Sequence, residues 1–143
     1  MLIIESVRNF IKKCPKIKTF DDAVAVNINY LNEKPDTYSI EEVPVNPIVK
    51  RYVGGGTLRQ KVFVFCSRNS YGEDVFNNIN NSGFYEEFAE WIEEMNNRGE
   101  LPKLDVNKEA QKIEIITNGY AMETARNLAR YQIEFRLTYL QED

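Results

Sequence analysis

The side chains that could support acid–base, nucleophilic or metal chemistry are few in this sequence. The chain has 143 residues, two of them cysteines, and it contains no histidine. Without histidine, Ser-His-Asp and Cys-His arrangements are excluded, together with any acyl transfer that uses a histidine base. Cys14 and Cys66 form no CxxC pair, and Cys66 lies within an apolar run. This pattern indicates two free thiols, rather than a disulfide framework, a zinc site or a nucleophile.

Two adjacent pairs of carboxylates remain, Asp21–Asp22 and Glu73–Asp74. Adjacent side chains point in different directions, and neither pair belongs to a recognisable catalytic motif. The asparagine-rich residues 71–81 also lack the D-x-[DN]-x-[DN]-G order of a calcium-binding loop. We therefore expect no catalytic residue, no metal ion and no cofactor, and we predict that the protein is not an enzyme.

A run of three glycines, Gly54-Gly55-Gly56, stands in the segment KRYVGGGTLRQKVFVFCSR, residues 50–68. A phosphate-binding P-loop needs Lys and Ser or Thr directly after its last glycine, whereas Thr57, Leu58 and Arg59 follow here. A dinucleotide-binding fingerprint needs a helix after the glycines, and the residues that follow have the pattern of a strand. Glycines between two strand-like segments are typical of a hairpin turn, which needs positive φ angles.

Basic residues flank this predicted hairpin, although the net charge of the chain is -4. They are either solvated charges that protect a sheet edge or parts of a projecting arm that docks on an acidic neighbour or on nucleic acid. The acidic balance argues against non-specific attraction to nucleic acid as the main driving force, and no sequence-specific nucleic-acid partner is expected. The apolar residues near the start are too few for a signal peptide or a membrane span, so we expect no membrane partner.

The first half of the chain predicts one helix followed by strands. Apolar residues recur at helical spacing over residues 2–13, before Pro15. Period-2 alternation predicts a strand over residues 23–31. Residues 38–43 form a weaker strand pattern whose neighbouring prolines favour a sheet edge. The continuous apolar run at residues 62–66 predicts a central strand that is covered on both faces.

The second half predicts two helices and two paired strands. A short helix from Val75 should end at NNSG, and a longer one should begin with Ser82 as its N-cap and stop at Gly99. KIEIITNGYAM and ARYQIEFRLTYL, residues 112–122 and 129–140, read as paired strands. The segment ETARNLAR between them suggests a short helix or an irregular loop.

These elements predict a single α+β domain over residues 1–143. A mostly antiparallel sheet should have its helices packed on one face, which leaves the other face as a candidate partner surface. The longer helix also carries an acidic face, which is either solvated or a binding surface for a basic partner. Its acidic residues are Glu86, Glu87, Glu90, Glu93 and Glu94.

About two-thirds of the chain resembles a known family. Residues 47–98, which contain PIVKRYVGGGTLRQKVFVFCSRNSYGEDVFNNINNSGFYEEFAEWIEE, and residues 110–141, which contain ARYQIEFRLTYLQ, are similar to the tail terminator (minor capsid) proteins of phages and prophages of Gram-positive bacteria. SGFYEEFAEWI is the most specific part of the similarity.

The resemblance implies a tail-terminator-like α/β subunit that assembles into a ring, commonly a hexamer. Such a ring caps the tail tube, stops its polymerisation and offers a surface to the head-tail connector proteins. The implied location is a virion tail or tail-like particle that is assembled in the bacterial cytoplasm. Two alternatives stay open: another neck component, such as an adaptor or stopper, and a small ligand-binding or enzymatic α+β domain.

A ring subunit needs complementary surfaces, and the basic hairpin and the acidic helix suit head-to-tail packing. We predict that the hairpin contacts the tube or the adjacent subunit and that the acidic helix forms an opposing surface. The predicted interface residues are Lys50, Arg51, Tyr52, Arg59, Lys61, Glu87, Glu90 and Glu94.

Overall fold

The computed structural model describes residues 2–15, 26–28, 37–70, 75–125 and 128–142. These residues form two helices and seven strands, in an order that confirms the predicted α+β class. The elements are α1 (Ile3–Ile11), β1 (Val26–Ile28), β2 (Thr37–Val43), β3 (Ile48–Arg51), β4 (Thr57–Ser70), α2 (Val75–Arg98), β5 (Lys108–Ile115), β6 (Tyr120–Ala125) and β7 (Leu128–Gln141).

The sheet is built around β4 and β7, which pair antiparallel along their whole length from Thr57–Gln141 to Ser70–Leu128. The strand order is β1-β2-β4-β7-β5, with β3 added to β4 and β6 added to β7. Only the β1–β2 pair is parallel among the strands that the structure describes. β4 is therefore central, as the apolar run at residues 62–66 predicts.

Both helices pack on the same face of the sheet. Phe65 of β4 stacks on Phe88 of α2 with 4.7 Å between ring centroids, and Phe10 of α1 lies 5.1 Å from Trp91 of α2. The core cluster contains Phe63 and Phe65 but not the alternate residues of β4. Because alternate side chains of a strand point to opposite faces, the core lies between the helices and one face of the sheet.

α1 forms because its apolar residues recur on one side of the helix. Ile4, Val7, Phe10 and Ile11 are buried, and a turn ends the helix ahead of Pro15. The observed range, Ile3–Ile11, confirms the helix predicted over residues 2–13.

The helix predicted to begin at Ser82 is instead part of a longer one. α2 runs without a break from Val75 to Arg98, so the predicted stop at NNSG and the Ser82 N-cap are both wrong. A glycine inside a helix costs only about 1 kcal/mol relative to alanine. Burial of Tyr85 and Phe88 offsets a cost of that size, since each aromatic side chain gains more than this on leaving water.

The end of α2 is as the sequence predicts. Gly99 has φ of +72°, its N–H donates to the Asn96 carbonyl, and the N–H of Glu100 donates to the Met95 carbonyl. These are the two bonds of a Schellman motif, which needs a left-handed residue after the helix.

Three strand predictions need correction or restriction. β2 is flanked by both β1 and β4 over Tyr38–Ile40, so the predicted edge position is wrong there, although Val43 lies beyond the reach of β1. The segment ETARNLAR, residues 123–130, contains the end of β6 and the start of β7, since pairing between these strands overrides its weak helical pattern. Of the strand predicted over residues 23–31, only Val26–Ile28 falls within the described residues.

Candidate assembly interface

The β3–β4 hairpin has the turn that the three glycines predict. Arg51 pairs with Thr57, and the five residues between them form the loop. The N–H of Tyr52 donates to the carbonyl of Gly56 at 3.2 Å, and the N–H of Gly55 donates to the carbonyl of Tyr52 at 3.1 Å. Gly55 and Gly56 have φ of 101° and 82°, a region that side chains with a Cβ rarely adopt. The glycines therefore turn the chain at the tip of a hairpin.

Three of the predicted interface residues lie at this tip. Lys50, Arg51 and Tyr52 are exposed, and the Lys50 Nζ lies over the Tyr52 ring, 5.2 Å from its centroid. Val53 at the apex of the loop is completely exposed, and no sequence signal singles it out beyond its place beside the glycines. The tip thus presents an exposed apolar side chain directly after two exposed cationic ones.

The other two predicted basic residues lie farther along β4. Arg59 is half-buried, and its Nε donates to Thr57 Oγ1 at 2.9 Å. Lys61 forms an ion pair with Glu42 of β2, with 3.7 Å between Nζ and Oε1. These contacts hold both side chains against the sheet. The five residues that the sequence groups together therefore separate into a projecting set at the tip and a set anchored to the sheet.

The acidic residues of α2 also separate into two sets. Glu94 forms an ion pair with Arg98 at 2.9 Å, one helical turn away. Glu87 lies on the same flank of the helix as Glu94, because residues seven apart are about 20° from alignment. Glu86 and Glu90 belong to the same acidic face, because Glu86, Glu90 and Glu94 follow one another at four-residue spacing. Of these three, only Glu86 and Glu90 line a cleft of about 460 Å³ between α2 and the β5–β6 loop. Among the predicted acidic interface residues, only Glu90 lines this cleft, and the structure adds Glu86.

The cleft is lined by polar as well as apolar residues, and two of them belong to the buried core. Its other lining residues are Tyr85, Ala89, Asn118, Gly119 and Ile133. Tyr85 is buried, and its hydroxyl donates to the Tyr131 carbonyl at 3.0 Å while Ser67 Oγ lies 2.6 Å from the same hydroxyl. The Tyr85 hydroxyl has a single proton, which it donates to the Tyr131 carbonyl. Ser67 Oγ is therefore the donor in the hydrogen bond between the two hydroxyl groups. Burial raises the pKa of Tyr85 well above its usual value, so the ring stays neutral.

The opposite face of the sheet carries charges that are already paired with each other. Arg130 Nη2 lies 2.9 Å from Glu41 Oε1, and Arg136 contacts Glu114 through both Nε and Nη2 at 2.8 and 2.7 Å. Burial raises the pKa of Glu41, but the hydrogen bonds from Arg130 and Cys66 and the charge of Arg130 outweigh it and hold the pKa below its usual value.

Val62 and Val64 lie on this second face and are buried, as the sequence predicts for a strand that is covered on both sides. Residues of both described helices belong to the core cluster, and Val62 and Val64 do not. No described helix therefore packs over these two valines. Their partners across β7, Arg136 and Glu134, belong to the polar rows that flank them. Neighbouring polar side chains on the same face of the sheet therefore help to bury Val62 and Val64.

Of the residues that we considered for catalysis, the structure describes the two cysteines. The thiols of Cys14 and Cys66 are buried, and Cys66 Sγ lies 3.4 Å from Ser39 O and 3.3 Å from Glu41 Oε2 as a hydrogen-bond donor. The pairs Asp21–Asp22 and Glu73–Asp74 lie outside the described residues. Over the described ranges, no three His, Cys, Asp or Glu side chains gather as metal ligands, and no helix is long and apolar enough to cross a membrane.

Two comparisons with known proteins identified no relative of this chain. A scan against protein-family models found no match for the chain. A search of curated proteins found no match either.

Proposed function

We propose that this protein is a structural assembly subunit of the tail-terminator type. Copies of it pack head-to-tail into a ring that caps a tail tube, stops the polymerisation of the tube and presents a surface for joining the head. The fold and the two candidate surfaces support this proposal, and the ring and its partners come from the resemblance over residues 47–98 and 110–141.

One observation carries the proposal: a single domain presents two exposed surfaces of opposite charge at separate places. The hairpin tip carries Lys50 and Arg51 beside a fully exposed valine. The flank of α2 carries Glu86 and Glu90 beside the cleft. A subunit with two different complementary surfaces makes heterologous contacts, and these generate a closed ring when the rotation between copies closes.

The rigidity of the domain favours the same role. β4 and β7 form a fourteen-residue antiparallel ribbon that reaches the hairpin at one end. The core that joins this ribbon to both helices fixes the hairpin relative to α2. A subunit built in this way presents its contact surfaces in a constant geometry, as a ring of defined size requires.

The function is tested by growing the matching tail-tube protein in the presence and absence of this chain. We expect tubes of limited length, with the added protein at tube ends in electron micrographs. Tubes of unchanged length, with no protein at their ends, would contradict the terminator role. Binding to portal or head-completion proteins without an effect on tube growth would instead favour a neck adaptor or stopper.

A further inference from the structure

We propose that the hairpin tip of one copy inserts into the α2 cleft of a second copy. Val53 acts as the apolar knob, and Lys50 and Arg51 face the carboxylates of Glu86 and Glu90. This inference rests on the proposed function, because it identifies the contact that builds the ring.

The tip has the shape of an inserting element. Val53 is completely exposed at the apex, and it is followed by Gly54 and Gly55, which add no side chain to the width of the loop. Around Gly54, a Cβ would meet no atom within 4 Å, so the apex of the loop is open, although Gly56 at its base lies against Gln141. An exposed valine at the end of a narrow hairpin gains from burial at a contact.

The cleft has the matching properties. Ala89 is half-buried in the lining of the cleft, Tyr85 and Ile133 are buried beneath it, and Glu86 and Glu90 are exposed at its edge. The volume of about 460 Å³ accommodates a few small residues, which is what a Val-Gly-Gly tip presents. No ion pair within the described part of the chain occupies either glutamate. The acidic edge is therefore available to a cationic partner.

The two surfaces cannot meet within one copy. The tip lies beside Gln141 at the end of β7, and the cleft lies at Ile133, eight residues back along the same strand. At roughly 3.3 Å per residue, the separation is about 26 Å along a paired strand. Complementary surfaces that are held apart on one rigid sheet fit a contact between copies, and the repeated contact continues around a ring.

The face of the sheet opposite the helices is a less suitable contact surface for a second copy than the cleft. Its arginines, Arg130 and Arg136, are already bound to Glu41 and Glu114 at 2.9 Å or less. A partner that used these charges would have to break existing ion pairs, whereas Arg51 and Glu90 have no such partner among the described residues.

The contact is tested by disulfide trapping between two variants. Val53→Cys and Ala89→Cys are prepared separately, mixed under mild oxidation and analysed on a non-reducing gel. The two natural cysteines are buried and should not compete. We expect a covalent dimer that forms only in the mixture. A matched mixture of Val53→Cys with Lys103→Cys, which changes an exposed residue outside the cleft, should give no comparable product.

Charge reversal provides a second, independent test. Arg51→Glu alone and Glu90→Arg alone should each weaken self-association at least about tenfold, and the double variant should recover most of the loss. The controls Lys103→Glu and Glu100→Arg reverse exposed charges away from both surfaces and should leave self-association unchanged. All variants should have the circular dichroism spectrum of the wild type, because the changed side chains are exposed.

The outcomes separate this contact from the proposed function. A ring that caps tubes but gives no mixed disulfide, and no rescue in the double variant, would overturn the contact and leave the terminator role standing. A chain that never self-associates, alone or with tubes, would overturn both.

Discussion

Gly119 is the position where a single methyl group should have the largest effect on stability. It lies in the β5–β6 loop against Tyr85, and a Cβ built at Gly119 would lie 2.4 Å from Tyr85 Cβ and 2.7 Å from Tyr85 Cγ. Carbon atoms in contact prefer about 3.5–4.0 Å, so Gly119→Ala must open a gap of about 1 Å. Tyr85 cannot turn away without breaking its bonds to Tyr131 and Ser67.

The magnitude follows from these contacts. Overpacking a fitted site costs about 1–3 kcal/mol, and losing a hydrogen bond of the Tyr85 hydroxyl adds about 1 kcal/mol. We therefore expect Gly119→Ala to lower the free energy of unfolding by about 2–4 kcal/mol. At about 3 °C per kcal/mol for a chain of this length, the midpoint of thermal unfolding should fall by roughly 6–12 °C. Both quantities are measured by circular dichroism, with urea and with heat.

Gly83 supplies the matched control, because it is a glycine that accepts a methyl group. It lies inside α2, and a Cβ there meets no atom within 4 Å. Gly83→Ala should raise the free energy of unfolding by about 0.5–1 kcal/mol, since alanine is the better helix former. A Gly119→Ala variant as stable as the wild type would contradict the predicted clash with Tyr85. A shift of stability in the same direction by both substitutions would contradict it as well.

Three further predictions test other parts of the fold. The pKa of Glu41 is lowered in the folded state, so the contribution of Glu41 to stability is present above its unfolded pKa and is lost as the pH falls through the folded pKa. Urea titrations between about pH 5 and pH 3 should therefore show a smaller loss of unfolding free energy for Glu41→Gln than for the wild type. An equal loss of unfolding free energy in the two proteins would contradict this prediction. Gly99→Ala should cost about 1 kcal/mol because φ there is +72°, and an unchanged urea midpoint would argue against the left-handed cap. Cys14 and Cys66 are buried, so a thiol reagent should label neither before unfolding and both in denaturant; rapid labelling of the native protein would place a thiol at the surface.

Patterns that depend on near neighbours in the sequence were sufficient for much of the fold. The helical spacing of α1, the alternation in β7 and the glycine that ends α2 each reflect a local rule, and the structure confirms all three. The hairpin turn at Gly55 and Gly56 belongs to the same class, because positive φ angles favour glycine.

Features that depend on tertiary contacts were not predictable. The Asn-Gly segment before Phe84 reads as a helix stop, yet α2 continues through it because Tyr85 and Phe88 pack into the core. Tyr85 itself has no sequence signal for its bonds to Ser67 and Tyr131, which come from two distant strands.

The candidate interface shows the same division. Sequence alone grouped the basic residues around the hairpin, but it could not separate the exposed tip from Arg59 and Lys61, whose side chains contact Thr57 and Glu42. On α2, the sequence predicted an acidic face but not the cleft, because the position of the β5–β6 loop decides which acidic side chains border it. Glu86 and Glu90 line the cleft, whereas Glu87 and Glu94 do not.

The proposed function depends on self-assembly, and the most direct measurement is the mass of the purified protein by light scattering, alone and with the matching tube protein. We expect a closed ring of defined mass, near six copies of the 16.7 kDa chain, either in the free protein or on addition of the tube protein. A 16.7 kDa monomer at every concentration, unchanged by the tube protein, would contradict the proposed function.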